Sequence, residues 1–239
     1  MSDEKRSAGD TADDDVLDPR AASDDAAGEH AAVRAMLGAT ADDRQRRVAV
    51  WRPRRQVAFG QRDVDRPGYG AAREAAENAG FPATERTAGG HAVVHDGGTV
   101  AFAVAVPVAP ADVAIRDRYC AVVDAVRGAL AALGVAAAEG EPDGAFCPGD
   151  HGLRAGDGKV VGVAQRVRRE SALVSGVVTV ALSDGAVALY ERLYDALDVP
   201  FDRDAVTDLA TVAGAGGDGG PAPAAGAVAD ALSGALREA

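Results

Sequence analysis

Only two of the 25 basic residues are lysines, Lys5 and Lys159, and the rest are arginines. Lys159 stands in Gly-Asp-Gly-Lys159-Val-Val-Gly-Val-Ala-Gln165-Arg. A lysine is a compact charge on a slim stem, suited to a narrow pocket that a planar guanidinium would not enter. Twelve residues upstream lies Cys147-Pro-Gly-Asp150-His151-Gly. A thiol becomes a nucleophile when a cation, a histidine or backbone N–H groups stabilise its thiolate. A hairpin between the two would bring Lys159 alongside Cys147. A third cluster is Arg86-Thr-Ala-Gly89-Gly90-His91-Ala92-Val-Val-His95-Asp96-Gly97. Its paired glycines permit close approach of backbone to a ligand, and Arg86 supplies charge for a carboxylate or phosphate. On a strand His91 and His95 would share a face. The bland alternatives are an ordinary glycine bend, a cysteine at a loop edge and a solvated lysine.

Several elements must position these residues. A short helix is expected over Glu29–Leu37, and strands over Val48–Trp51 and Gln56–Phe59 around the basic turn Arg52-Pro-Arg-Arg55. Another helix follows from about Gly70 to Asn78. A strand pair is expected next, His91–His95 and Thr99–Val106, joined by Asp96-Gly-Gly98. In its second strand Val100, Phe102, Val104 and Val106 alternate with Ala101, Ala103 and Ala105. The large residues are assigned to the core, leaving an alanine face against which something can lie. Ile115, Tyr119, Val122, Val126, Leu130 and Leu133 recur at helical spacing over Ala111–Leu133, with Asp112 and Asp117 early and Cys120 beside the stripe as a small core residue. Strands at Lys159–Gln165 and Gly176–Leu182 flank an arginine-rich turn, and helices follow near Ala186–Leu197 and Arg203–Val212. This order implies an α+β class with mixed sheets flanked by helices. The domain division is an acidic disordered tail over 1–28, a catalytic domain over 29–212, and a Gly/Ala/Pro linker with a short, loosely attached helix over 213–239.

Arg-x-x-Gly-Gly-x-Ala-Val-x-His-Asp-x-Gly followed by Gly-Lys-Val-x-Gly-x-Ala-Gln-Arg resembles the lipoate–protein ligase and octanoyltransferase family, whose catalytic fold biotin ligases share. The likeness covers roughly residues 28–212. It implies a tunnel for an eight-carbon acyl chain, with the alanine face of 101–105 as one wall. The first motif carries substrate binding onto Arg86, Gly89, Gly90, His91, Ala92 and His95, and the second onto Lys159, Gly162, Ala164 and Gln165. ATP-dependent ligases of the family show Gly-Arg-Asn-Asp where this chain has Gly144-Ala-Phe-Cys147-Pro-Gly-Asp150. A cysteine there is similar to the branch that moves octanoyl between carriers through a thioester. Ala88 replaces a ligase serine, and Ser175-Gly176 replaces a His-Gly.

The resemblance implies an acyltransferase with catalytic Cys147 and Lys159, no required cofactor and no metal. Its partners would be an octanoyl or lipoyl donor and the lipoyl domains of 2-oxoacid dehydrogenase E2 or the glycine cleavage H protein. His151 or His95 would assist the incoming lysine. The alternative is an ATP- and Mg-dependent lipoate ligase subunit with a separate accessory chain, and a third reading is a non-catalytic carrier-binding module. A classical biotin ligase is disfavoured because no Gly-Arg-Gly-Arg loop is seen.

Charge and composition agree with this class. Net charge is −12, but residues 1–30 contribute ten acidic against three basic side chains. No basic, aromatic-rich surface for nucleic acid is evident. No run of 18 apolar residues suggests a membrane span, and two cysteines make no disulfide framework, so a cytoplasmic setting is expected. Arg166-Val-Arg168-Arg169 is assigned to a solvated hairpin tip.

Overall fold

The computed structural model describes residues 16–86, 88–109, 114–149, 151–215 and 221–239. Two sheets organise them. The larger contains β1 (Val16–Leu17), β2 (Arg47–Trp51), β6 (Thr99–Pro107), β10 (Ser171–Thr179), β9 (Gly158–Val167), β8 (Leu153–Ala155) and β7 (Ala138–Glu139), in that spatial order. The smaller contains β4 (Ala83–Glu85), β3 (Gln56–Phe59) and β5 (Val93–His95). The helices are α1 (Ala26–Asp43), α2 (Gln61–Val64), α3 (Tyr69–Asn78), α4 (Ile115–Ala132), α5 (Asp184–Ala196), α6 (Leu209–Ala215) and α7 (Ala225–Glu238).

The period-two pattern of β6 decides how the large sheet is covered. Val100, Phe102 and Val104 enter a core with Val122, Val126 and Leu130 of α4. Ala101, Ala103 and Ala105 face the other way, under Val33, Met36 and Leu37 of α1. Small side chains on that face let α1 approach the sheet closely. A second core fills the space between the small sheet, α3 and α5, with Phe59, Phe146, Tyr190, Leu193 and Tyr194 fully buried.

Several expectations need correction. Residues 16–28 are not a disordered tail: β1 runs parallel to β2, and a tight turn at Pro19–Ala22 precedes α1. Their acidic residues do structural work. The Asp25 carboxylate accepts from Gly28 N at 2.7 Å and caps α1, a contact worth about 1 kcal/mol. Buried Glu29 accepts from Arg54 Nη1 at 2.8 Å. The rest of the tail, 1–15, lies outside the described residues, as do Ala111, Asp112, Asp150 and part of the 213–225 linker. The supposed strand pair around Asp96-Gly-Gly98 is not a hairpin, because β5 pairs with β3 and β6 with β2 and β10. His91 precedes β5, so period-two reasoning does not apply to it. In α4 the buried stripe begins at Val122; Ile115 is half exposed and Cys120 is only half-buried. The expected helix over 203–212 is a short turn at Arg203–Ala205 followed by α6.

The last helix is not loosely attached. Val228, Leu232 and Leu236 of α7 recur at helical spacing and are fully buried in the same core as α4.

Candidate functional site

A pocket opens between α1, the two sheets and the loop before β8. It encloses about 780 Å3 of space, its open mouth included. Trp51, Ala101, Leu173 and Val177 give it apolar walls, and Gly162, Ala164 and Gly176 keep the β9–β10 side thin. Gly176 has no room for a side chain, since an added Cβ would lie 2.3 Å from the Phe102 ring. Of the alanine face, Ala101 lines the pocket, while Ala103 and Ala105 are covered by α1.

Cys147 lies at this pocket in a left-handed backbone conformation, φ +45°. Few L-residues adopt it, so the turn must be held by its surroundings. Three contacts hold it. The Cys147 N–H donates to Tyr194 Oη, and the Lys159 ammonium donates to the carbonyls of Phe146 at 3.0 Å and Cys147 at 2.9 Å. Tyr194 Oη in turn donates to Ala92 O at 3.0 Å, tying the glycine-rich segment to the cysteine loop. Burial pushes the Tyr194 phenol well above its usual range, so it remains a hydrogen-bond donor.

The sulfur itself meets two donors. Arg86 Nη2 lies 3.2 Å and His91 N 3.3 Å from Sγ. Arg86 is fixed by donating to Gly89 O at 2.7 Å and His91 O at 2.6 Å, and its buried Nε has no partner among the described residues. The backbone must leave space for the sulfur. A Cβ on Gly90 would lie 2.3 Å from Sγ, and Gly90 has φ +88°. Gly90→Ala is therefore expected to displace the thiol and abolish its chemistry. Labelling of Cys147 by an electrophile at fixed pH checks this, and a rate above about half of wild type would contradict it.

Lys159 fits its predicted niche, but its partners differ from expectation. Its side chain is almost fully buried, and its third donor engages the Glu141 carboxylate. The cation in contact with the thiol is Arg86; Lys159 grips the carbonyls of the loop that carries it. Cys147 and Lys159, on either side of β8, meet through the Cys147 carbonyl. Glu141 was not foreseen. The signal available was that a buried ammonium requires an acid.

The histidines divide. His95 is 3% exposed, hydrogen-bonds Thr99 through Nδ1 at 2.8 Å and lines the pocket. Burial, then the nearby His30 and Arg86 charges, pulls its pKa down to about 3. His30, missed in the sequence, also lines the pocket; its Nε2 is 2.9 Å from Gln56 Oε1, and burial lowers its pKa. His91 directs Nδ1 to Asp63 Oδ1 at 2.6 Å. His151 stacks on Tyr119 with ring centroids 4.1 Å apart. Ala92 is buried and Gln165 donates to Ile115 O at 3.4 Å; neither lines the pocket, whereas Gly162 and Ala164 do.

The low pKa of His95 has a consequence for stability. Unfolded, this imidazole takes a proton near pH 6.5; folded, it resists one until about pH 3. The unfolded chain therefore binds more protons across that window, and stability is lost as pH falls through it, by up to roughly 1.4 kcal/mol per pH unit. His95→Gln is expected to flatten that dependence. Urea midpoints at pH 7 and pH 5 check this, and an unchanged slope would contradict it.

The lipoyl protein ligase A/B catalytic domain family matches residues 26–215. The chain belongs to that family. An octanoyl-[GcvH]:protein N-octanoyltransferase of Geobacillus kaustophilus (strain HTA426) is 30% identical over 149 residues, covering 62% of this chain and 53% of the relative. One of Lysinibacillus sphaericus (strain C3-41) is 27% identical over 127 residues, covering 53% and 46%. The chain thus spans about half the length of these curated relatives. Among solved structures, lipoate-protein ligase A bound with ATP superposes with a TM-score of 0.68 at 21% identity, covering 93% of this chain and 82% of that one. A putative lipoate protein ligase from T. acidophilum with bound lipoic acid gives 0.62 at 20% identity, covering 94% and 83%. These likenesses show the α+β ligase fold expected from the sequence. The family match ends before α7, the helix that packs into the same core as α4.

Proposed function

We propose that this protein moves an octanoyl or lipoyl group between lysines of lipoyl carrier domains through a thioester on Cys147, without ATP. The observation that carries the reading is the sulfur at an apolar pocket, touched by the Arg86 guanidinium and the His91 N–H. Both stabilise a thiolate and lower the cost of forming it. The acyl chain lies in the pocket past Ala101 and Ala164. Cys147 attacks the acyl carbonyl, and splitting transfer into two steps lowers each barrier relative to direct aminolysis. The Arg86 guanidinium, whose Nη2 is at the sulfur, also offsets the developing oxyanion charge. Lys159 holds the cysteine loop through its two carbonyls.

The relatives' names support a reading of the carriers. Each relative's name pairs octanoyl-[GcvH] with a protein. The octanoylated H protein is accordingly the donor here, and the lipoyl domain of a 2-oxoacid dehydrogenase E2 the acceptor.

Intact-mass spectrometry of the protein with octanoylated H protein and no nucleotide is the test. An octanoyl adduct lost on adding an E2 lipoyl domain supports the reading. Pyrophosphate release from free octanoate and ATP, with no adduct on Cys147, would replace it by the ligase alternative. Pocket length is tested separately. Ala164→Leu is expected to slow octanoyl transfer roughly 10–100-fold, the range set by a few misplaced methylenes, while leaving butanoyl transfer nearly unaffected. Equal losses for both chains would show that the acyl group lies elsewhere.

A further inference from the structure

Transfer between lysines poses a proton problem that the sulfur and its cation do not solve. An amide nitrogen leaves only when protonated, and the incoming lysine must give up a proton as it attacks. Neither histidine first considered for this suits it. His95 has its Nδ1 on the Thr99 hydroxyl, with no carboxylate among the described residues to steady an imidazolium, and His151 is stacked on Tyr119.

We propose that His91 is the proton-transfer residue of this site and Asp63 its positioning residue. The inference rests on the thioester reading above. His91 is tied to the nucleophile through its own backbone, whose N–H donates to Cys147 Sγ. Its Nδ1–H donates to Asp63 Oδ1, and that carboxylate is fully buried. Asp63 Oδ2 is fixed by Gly60 N at 3.0 Å, at the start of α2. Gly60 is needed there, since a Cβ would lie 1.9 Å from Gly90 O. An aspartate on Nδ1–H fixes the tautomer, leaving Nε2 as the basic nitrogen, and stabilises the imidazolium once formed. Nε2 makes no hydrogen bond to any described residue, and the imidazole keeps 6% of its surface exposed.

The groups facing this imidazole are few. Asp63 comes from α2, Arg86 from the loop after β4 and bound to the His91 carbonyl, Cys147 from the loop before β8, and Tyr194 from α5 with ring centroids 6.3 Å apart. The phenol stays neutral, so Asp63 and Arg86 are the fixed charges and act with opposite sign.

The steps balance. In acylation the Cys147 thiolate forms a bond to the acyl carbon and the bond to the donor lysine nitrogen breaks. That nitrogen takes the proton from His91 Nε2 and leaves as a neutral amine. In deacylation the acceptor lysine nitrogen bonds to the acyl carbon and the C–Sγ bond breaks. Sulfur keeps the electron pair as thiolate, and the nitrogen passes its proton to His91 Nε2, restoring the starting state.

The discriminating experiment compares two donors in single-turnover acylation of Cys147. Octanoyl-coenzyme A releases a thiolate and needs no proton; an octanoylated lipoyl domain releases an amine and needs one. His91→Gln retains an N–H for Asp63. It is expected to be acylated by the thioester within roughly threefold of wild type, but by the amide about 100-fold more slowly, with a similar loss in transfer to the acceptor. Asp63→Asn should show the same selective loss, about tenfold, and added imidazole should restore part of the amide-donor rate in His91→Ala. An unchanged ratio of amide to thioester rates in His91→Gln overturns the dyad while leaving the thioester reading intact. Failure of the wild-type protein to acquire an acyl group on Cys147 from either donor overturns the thioester reading, and the dyad with it.

Discussion

Cys147→Ser is expected to abolish acyl transfer, with a loss of at least about 1,000-fold, and to remove the adduct seen by mass spectrometry. The size follows from acidity. A hydroxyl at this position offers essentially no oxyanion at neutral pH, and the donors present, Arg86 and the His91 N–H, are arranged around a large sulfur. The substitution removes little packing, since Cys147 is only half-buried. The melting temperature should therefore change little, separating loss of the nucleophile from loss of fold. A serine variant that transfers octanoyl at the wild-type rate would leave covalent catalysis without support.

Lys159→Met has the second-largest expected effect, and it acts on fold and reaction together. The ammonium satisfies Phe146 O, Cys147 O and Glu141, three oxygens that a methyl thioether cannot serve. Removing one partner of a buried ion pair costs about 3–5 kcal/mol. The carbonyls of the strained cysteine turn also lose their anchor, so transfer should fall roughly 100-fold or more in folded protein. Lys159→Arg should not rescue, since a planar fork cannot converge on three oxygens arranged for a compact ammonium. The double variant Lys159→Met, Glu141→Gln is informative. It should recover much of the stability, as the carboxylate no longer carries a charge, but not the activity. Urea denaturation with single-turnover assays measures both, and recovery of activity with stability would mean that Lys159 matters only as the partner of Glu141.

Much of the fold was legible because local rules were obeyed. The alternation in Thr99–Pro107 placed the valines and Phe102 in one core and the alanines on the other face. The helices at 69–78 and 184–196 were found within a few residues. The errors share a cause. The residues around Asp96-Gly-Gly98 have hairpin chemistry, but strand pairing is a choice of partner, and β3 and β10 compete for β5 and β6. The acidic stretch at 18–29 reads as solvated composition, yet Asp18 and Asp25 cap turns and Glu29 meets Arg54. The helix over 225–238 sits beyond a Gly/Ala/Pro run that masks its apolar spacing.

What the residues determine unaided is the inventory of the site: one cysteine at a Pro-Gly turn, one retained lysine, an Arg-x-x-Gly-Gly segment and small residues for a narrow pocket. Those follow from side-chain chemistry and spacing, which are local. Which charge touches which atom is settled only when distant segments pack. Arg86 took the thiol because Gly90 leaves the sulfur room beside its guanidinium, and Lys159 was drawn to Glu141 and the loop carbonyls because a buried ammonium must fill all three donor positions. Asp63, 28 residues before His91, became its partner through the close contact of Gly60 with Gly90. Electrostatic pairing depends on separation in space and on burial, and neither quantity exists until the chain has folded.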